Sequence, residues 1–524
     1  MKNEIRKAAA VFMAAALTLA STGCAALGLR TASETRAGSV ENGTSVVETE
    51  PASYEDIAET ERRTFEEIIS AYENGRNSAD EDNEENAPKE DGPTQAAPAP
   101  DAADDDSNSD TELERGGSVS AENEAAAAAA LSSLKQGNTT AVTAEYSTYA
   151  YGNLTGVEIF TERDLTQTAD LSEASAVALS DNAVIELNQA GVYVLSGTAS
   201  DCTVRINADG EEKVQLVLAG VSVTNSSFPA IYVLSADKVF VTTAAGTENT
   251  LAVTGAFAKD AENGVNTDAV IFSKDDLVLN GLGSLTVSSA YGNGITAKDD
   301  LKITGGSWTI VSALDSMEAN DSIAACAGTF DITSSKDGLH CENDDDDTLG
   351  WIWIGGGTWT INAKSDAIQG TTFVQIDDGI LNISASEGIE GTFVQINGGT
   401  IGMYASDDGI NASRKSSAYS RPMIEINGGD LTVEVGPGDT DGIDSNGDIT
   451  VNGGTIIVTA GMSSFDYDGS AAYNGGTIIV NGVEVDEIPQ SMMGGGFGHG
   501  GGFGGGFGGG FGGFGGFWGG GGRG

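Results

Sequence analysis

Between Ile271 and Val480 apolar and polar residues alternate in short runs, and the runs themselves recur. The clearest copies are Phe373-Val374-Gln375-Ile376-Asp377-Asp378-Gly379-Ile380-Leu381-Asn382-Ile383 and Phe393-Val394-Gln395-Ile396-Asn397-Gly398-Gly399-Thr400-Ile401; Met423 to Val433 is a third. A period of two sends successive side chains to opposite faces of an extended chain, so each copy predicts a strand, a glycine corner and a second strand. The last glycines of the copies are Gly306, Gly328, Gly357, Gly379, Gly399, Gly429, Gly454 and Gly476, spaced 22, 29, 22, 20, 30, 25 and 22 residues apart. A period in the low twenties with loop-sized additions marks a solenoid built of strands.

A second corner is as regular: Asp366-Ala367-Ile368-Gln369, Glu387-Gly388-Ile389-Glu390, Asp408-Gly409-Ile410-Asn411 and Asp441-Gly442-Ile443-Asp444, with looser copies at Asp315 and Asp337. Parallel stacking at about 4.8 Å turns equivalent residues into columns. The inward columns expected are Ile352/Val374/Val394/Ile424, Trp308/Phe330/Trp359/Leu381/Ile401/Leu431 and Ile368/Ile389/Ile410/Ile443. Asn280, Asp377, Asn397, Asn427 and Asn452 share the position before the glycines, where asparagine tolerates left-handed backbone and bonds its copy in the next coil. The predicted class is all-β, a right-handed parallel β-helix solenoid over residues 141–490, with the hand assumed.

The stretches Ile271–Leu277 and Ile295–Leu301, with the Asp-Gly-Ile and Asn-Gly-Gly corners, resemble the bacterial carbohydrate-binding domain-containing β-helix family. Upstream, Gly191–Gly197, Val217–Asn225 and Ala245–Leu251 resemble that family's opening coils, so the likeness spans residues 180 to 485. It implies a fold related to pectate lyases, bound calcium, and cellulose or acidic sugars as ligands.

The flanks read differently. Lys2, Arg6 and Lys7 precede an Ala-rich apolar run and Ser21-Thr22-Gly23-Cys24, an export signal over residues 1–23 with Cys24 as the expected lipidated residue. That places the protein on the cell surface, touching the membrane only through its lipid; plain secretion is the alternative. Residues 24–140 are an acidic low-complexity linker too poor in apolar residues to build a core, with helical spacing at Tyr54–Tyr72 and Glu122–Lys135 that is compatible with isolated or docked helices. Residues 491–524 repeat glycine and phenylalanine and lose too much backbone entropy to fold alone, so a disordered tail is expected. Of the remaining cysteines, Cys202, Cys326 and Cys341, a Cys326–Cys341 disulfide is one option and three buried thiols the other.

Charge narrows the partners. A net charge of −53 over 524 residues repels nucleic acid and anionic membrane surfaces and leaves neutral glycans, or acidic ones bridged by cations. The two histidines, His340 in a coil and His499 in the tail, exclude most nucleophile–histidine chemistry. His340 reads as one rung of the position held by Glu318, Gln369, Glu390, Asn411 and Asp444. Carboxylate pairs are too frequent here for spacing alone to signal a glycosidase. Calcium-assisted β-elimination is the sharper enzymatic alternative, with Lys364, Arg414 or Lys415 as bases.

Calcium takes six to eight oxygens, which stacked acidic corners supply. The expected ligands are the column Asp275, Asp299, Asp321 and the column Asp337, Asp366, Glu387, Asp408, Asp441. Where Val374 and Ile376 face inward, their neighbours face out, so Trp351, Trp353, Phe373, Gln375, Phe393 and Gln395 are expected to form an exposed aromatic stripe that stacks on sugar rings; cover by the linker or the tail is the alternative. The function expected is that of a monomeric surface lipoprotein whose calcium-stabilised domain binds polysaccharide, cellulose- or polygalacturonate-like, without turnover. A polysaccharide lyase and a structural spacer or adhesin are the alternatives.

Overall fold

The computed structural model describes residues 120–137, 141–150, 152–438 and 440–489. The export signal, Cys24, the Tyr54–Tyr72 stretch, most of the linker and the glycine–phenylalanine tail lie outside the described residues. The described part is all-β with parallel strands, short helices standing only at its start.

Each repeat contributes one strand to each of three ladders, and equivalent strands of successive repeats pair in parallel and in register. In the first ladder Leu277 pairs Leu301, Leu301 pairs Ile323, Ile323 pairs Ile352, and the column continues through Val374, Val394, Ile424 and Ile449. In the second, Trp308, Phe330, Trp359, Leu381, Ile401 and Leu431 succeed one another. In the third, Ile271, Ile295, Met317, Leu339, Ile368, Ile389, Ile410, Ile443 and Phe465 do the same. These columns meet in one apolar core whose members are almost wholly excluded from water. Phe330 and Trp359 stack ring on ring at 3.5 Å between centroids.

Two kinds of glycine make the corners. All eight marker glycines, Gly306 to Gly476, have φ between +87° and +130°, a backbone that side chains with a Cβ resist. The asparagine column keeps ordinary φ, because its neighbouring glycine takes the left-handed position. Its side chains still join as expected: Asn397 Nδ2 donates to Asp377 Oδ1, Asn427 to Asn397, Asn452 to Asn427 (each 2.7 Å) and Asn474 to Asn452 (2.8 Å). Asn280 departs from the column and donates to the Thr166 carbonyl at 3.1 Å. At the second corner the glycines serve close stacking instead: a Cβ on Gly409 or Gly442 would strike the carbonyl of Gly442 or Ser464 one repeat on.

Helix α1 (Ala121–Gly137) docks on the opening strands, with Ala130, Leu131 and Leu134 against Val194 and Val217. Docking is thus the outcome the Glu122–Lys135 spacing takes. Asn123 adds side-chain bonds to the carbonyls of Leu179 (2.8 Å) and Thr198 (3.1 Å). The segment 141–168 then runs along the outer face of the first ladder and includes helix α2 (Glu162–Leu165), started by a Thr161/Asp164 capping box. It is held by Asp164, which is fully buried beside Lys238 (3.4 Å), and by Gln167, which donates to Thr304 Oγ1 at 3.1 Å. Among the described residues Cys202, Cys326 and Cys341 are free buried thiols, and burial pushes Cys326 up to about 12.

Candidate functional site

The third ladder carries two neighbouring outward columns. Two places before each inward residue stand Asn293, Asp315, Asp337, Asp366, Glu387, Asp408, Asp441 and Ser463; one place after it stand Thr296, Glu318, His340, Gln369, Glu390, Asn411, Asp444 and Asp466. The first column has a structural duty. Asn293 Oδ1 accepts the Asp315 N–H (3.0 Å), Asp315 Oδ1 that of Asp337 (2.9 Å), Asp337 Oδ1 that of Asp366 (3.0 Å), and Asp408 Oδ1 that of Asp441 (2.8 Å). At these four rungs one side-chain oxygen closes the corner, and at the three aspartates among them the other oxygen is left for neighbours.

Two clusters on this strip bring three possible ligand atoms within 4.8 Å of one another: Asp315, Asp337 and His340, and Asp366, Glu387 and Glu390. The first already holds cationic side chains. Lys336 Nζ lies 2.8 Å from Asp315, and His340 Nδ1 3.4 Å from the same carboxylate. Burial pushes Asp315 up, but its bonds from His340 and Lys336 outweigh that and hold it at about 2. Burial likewise opposes charge on His340, and the bond to Asp315 outweighs it, so His340 sits above its ordinary value.

The second cluster is short of positive charge. Gln369 Nε2 donates to Asp366 Oδ2 (2.6 Å) and Glu390 Oε2 (2.8 Å), Asn411 Nδ2 to Glu387 Oε2 (3.0 Å), Ser413 to Glu390 Oε1 (2.9 Å), and Lys415 pairs Glu390 at 2.8 Å. Lys415 keeps Glu390 ionised against its burial. Asp366 is then pushed up to about 8, by burial first and by Glu387, Asp337 and Glu390 after it. The buried Oδ1 of Asn411 has no hydrogen-bond partner among the described residues. Further along, Asp444 is raised to about 7 by burial and by Asp408, Asp441, Asp466 and Asp468.

Of the expected calcium ligands, Asp337, Asp366 and Glu387 therefore fall into clusters, while Asp408 and Asp441 flank them on the same strip. Asp275, Asp299 and Asp321 form a separate column at the corner leading into the first ladder. Burial, then Asp321 and Asp275, raise Asp299 to about 6. Asp275 accepts the Ala236 N–H (3.0 Å) and Asp321 accepts from Asn343 (2.9 Å), and this column is not among the close groupings. Glu390 and the Asp315–His340 pairing fall in the close groupings, with Asn411 beside them, without having been expected there. The signal was present in the column one place after the inward residue, which changes chemistry from rung to rung and so hides its shared direction.

The expected aromatic stripe is corrected. Its residues do point away from the main core, but the segment 141–168 lies over them. Trp353 and Gln375 are fully buried, Gln395 is 2% exposed, Phe373 and Phe393 are buried, and Trp351 is half-buried. Leu154, Ile159, Phe160 and Tyr146 fill the space against Trp353, Phe373 and Phe393, with Tyr146 edge-on to Trp353 at 5.8 Å. The polar members are satisfied internally: Gln375 Oε1 accepts the Asn153 N–H (2.8 Å), and Trp353 Nε1 donates to Asp377 Oδ2 (2.9 Å). The physical reason is area: so many adjacent outward rings would expose more apolar surface than a soluble domain leaves to water. The three basic residues near the acidic corners differ. Lys364 is exposed, Arg414 donates to the carbonyls of Tyr419 and Ser420, and Lys415 is engaged by Glu390.

An all-β, parallel-stranded domain with a polar, acidic outer strip defines the class. The carbohydrate-binding domain-containing protein family matches residues 181–442, and the chain belongs to that family. A carbohydrate-binding domain-containing protein of Acetivibrio thermocellus is 35% identical over 200 residues, which is 38% of this chain and 70% of that protein. A solved structure described as the polysaccharide lyase-like protein from C. thermocellum, gadolinium derivative, is 33% identical with a TM-score of 0.37, covering 43% of this chain and 87% of the other.

Proposed function

We propose that the three ladders wind as a right-handed parallel β-helix that binds polysaccharide along the acidic strip of the third ladder, with calcium held at Asp366, Glu387 and Glu390. The observation that carries this reading is the charge imbalance of that triad, with three buried or half-buried carboxylates, one lysine and the unbonded Asn411 Oδ1 beside them. The donor set fits the ion: carboxylate and amide oxygens with no sulfur are what a hard divalent cation selects. Bound calcium would supply positive charge and coordination positions for the hydroxyl or carboxylate oxygens of a sugar. Asp366, Glu387 and Glu390 would hold it, Asn411 would turn its free oxygen toward it, and Gln369 and Lys415 orient the carboxylates. Asp408, Asp441 and Asp444 extend the strip for further sugar units, of a cellulose-like or polygalacturonate-like chain.

The reading is binding without turnover; Lys415 is committed to Glu390 and Arg414 to backbone carbonyls, which leaves Lys364, exposed, as the basic residue a lyase alternative would need. Export and lipidation at Cys24 complete it, placing the domain at the cell surface. Cys24→Ala should release the protein from the membrane fraction into the medium; a wild type already fully released would remove that part. Calcium content of the purified chain, with binding to polygalacturonate and cellulose in calcium and in chelator, tests the rest. Calcium-free protein whose binding ignores chelator would reject it.

A further inference from the structure

At the C-terminal end the ladders stop unevenly. The second ladder's last strand, Thr477–Val480, is covered by the chain folding back on itself, Val483–Val485 pairing with it antiparallel. The other two final strands, Ser463–Tyr467 and Ala471–Tyr473, each pair on one side only among the described residues. An open strand edge presents a row of unpaired N–H and C=O groups and templates a further strand.

A side chain at that edge points the same way. Ser463 ends the column in which Asn293, Asp315, Asp337 and Asp408 each accept an N–H from the following repeat. Its Oγ is buried and has no hydrogen-bond partner, and the residue is 7% exposed. An added rung would supply the missing N–H. Apolar groups wait at the same end: Phe465 is fully buried, Tyr467, Ala471 and Tyr473 are half-covered, and Met462 is 59% exposed.

We propose that the glycine–phenylalanine tail of this same chain is the occupant, adding as an extended rung over Ser463–Tyr467 and Ala471–Tyr473. The tail is delivered there, since Ile488 is still packed in the core a few residues before it begins. The residues from 490 to 524 reach about 100 Å when extended, far more than two short strands need. Phe497, Phe503, Phe507 and Phe511 are separated by even numbers, so an extended tail carries all four on one face, toward the open core, while the glycines between them allow close approach. A segment too glycine-rich to fold alone folds on a template that supplies its hydrogen bonds. The chain already does this once, at Val483–Val485.

Hydrogen exchange on the full-length protein tests it, comparing wild type with a Phe503→Ser, Phe507→Ser, Phe511→Ser variant, which leaves the repeats untouched. Amides of 463–467 and 471–473 should exchange at least about tenfold faster in the variant, with 441–445 and 448–451 unchanged. Equal rates in the two proteins would overturn the proposal. So would protection in the wild type that rises with protein concentration alongside a dimer mass, because the occupant would then be a second copy.

Discussion

The outer faces of the first and third ladders are built on the same kind of short strand and share one core, yet they are covered differently. The first carries Trp353, Phe373 and Phe393 outward and is sealed by residues 141–168. The third carries Asp337, Asp366, Glu387 and Glu390 at the same repeat spacing, and their charges are answered by corner N–H groups and by neighbouring side chains such as Gln369, Asn411 and Lys415. A stacked array amplifies whatever it repeats. Repeated rings make a surface that must be covered, and repeated carboxylates make one whose members repel each other unless donors or positive groups stand between them. Packing therefore claims the aromatic face, and the proposed ligand chemistry would sit on the acidic one.

The largest effect should come from the sealed face. Trp353→Ala should cost about 3–5 kcal/mol in urea unfolding, with glycan binding intact wherever the variant is folded. A stable variant that fails to bind would return the site to the aromatic face. Asp164→Ala leaves Lys238, itself 7% exposed, with Asp276 at 3.4 Å as its remaining partner and removes the capping box of α2, and should cost about 1–3 kcal/mol in the same assay.

Smaller but more telling is the acidic face. Asp366 is raised to about 8 from an ordinary value near 3.8, so its folded form holds the proton more tightly than the unfolded chain does. Its stabilising contribution is full below about pH 4 and is lost as pH rises through about 8. In chelator, thermal stability should fall across that window, and Asp366→Asn should flatten the fall. Calcium at a hundredfold excess over its Kd should add about 2.7 kcal/mol, and more at pH 8 than at pH 5. Stability rising with pH in chelator would show that the triad is not strained by its own charge. Smallest is Asn427→Ala, which cuts the corner column between Asn397 and Asn452 and should cost about 1–2 kcal/mol in denaturant unfolding.

The repeats were legible because a two-residue period and a positive-φ glycine are local requirements. Every inward column from Ile352 to Ile443 follows from them, and so does His340 as a rung beside Glu318 and Gln369. The cover over the first ladder was not legible. Asn153 meets Gln375 across 222 residues and Tyr419 across 266, and the segment that carries it has no repeat of its own to betray a register. The acidic site lay between these limits. Its direction could be read from the Asp366, Glu387 and Asp408 corners, whereas the convergence of Glu390 and Asn411 depends on the column beside them, whose residue type changes at each rung.

The contrast between the two faces is tested most directly by adsorption of the full-length protein to insoluble polygalacturonate and cellulose, with calcium and with chelator. Wild type, an Asp366→Asn, Glu390→Gln variant and Trp351→Ala should be compared at one temperature where all are folded. The account predicts calcium-dependent adsorption that the acidic double variant weakens at least about tenfold, or 1.4 kcal/mol, and that Trp351→Ala leaves unchanged. Adsorption indifferent to chelator and to the double variant, but lost in Trp351→Ala, would contradict it.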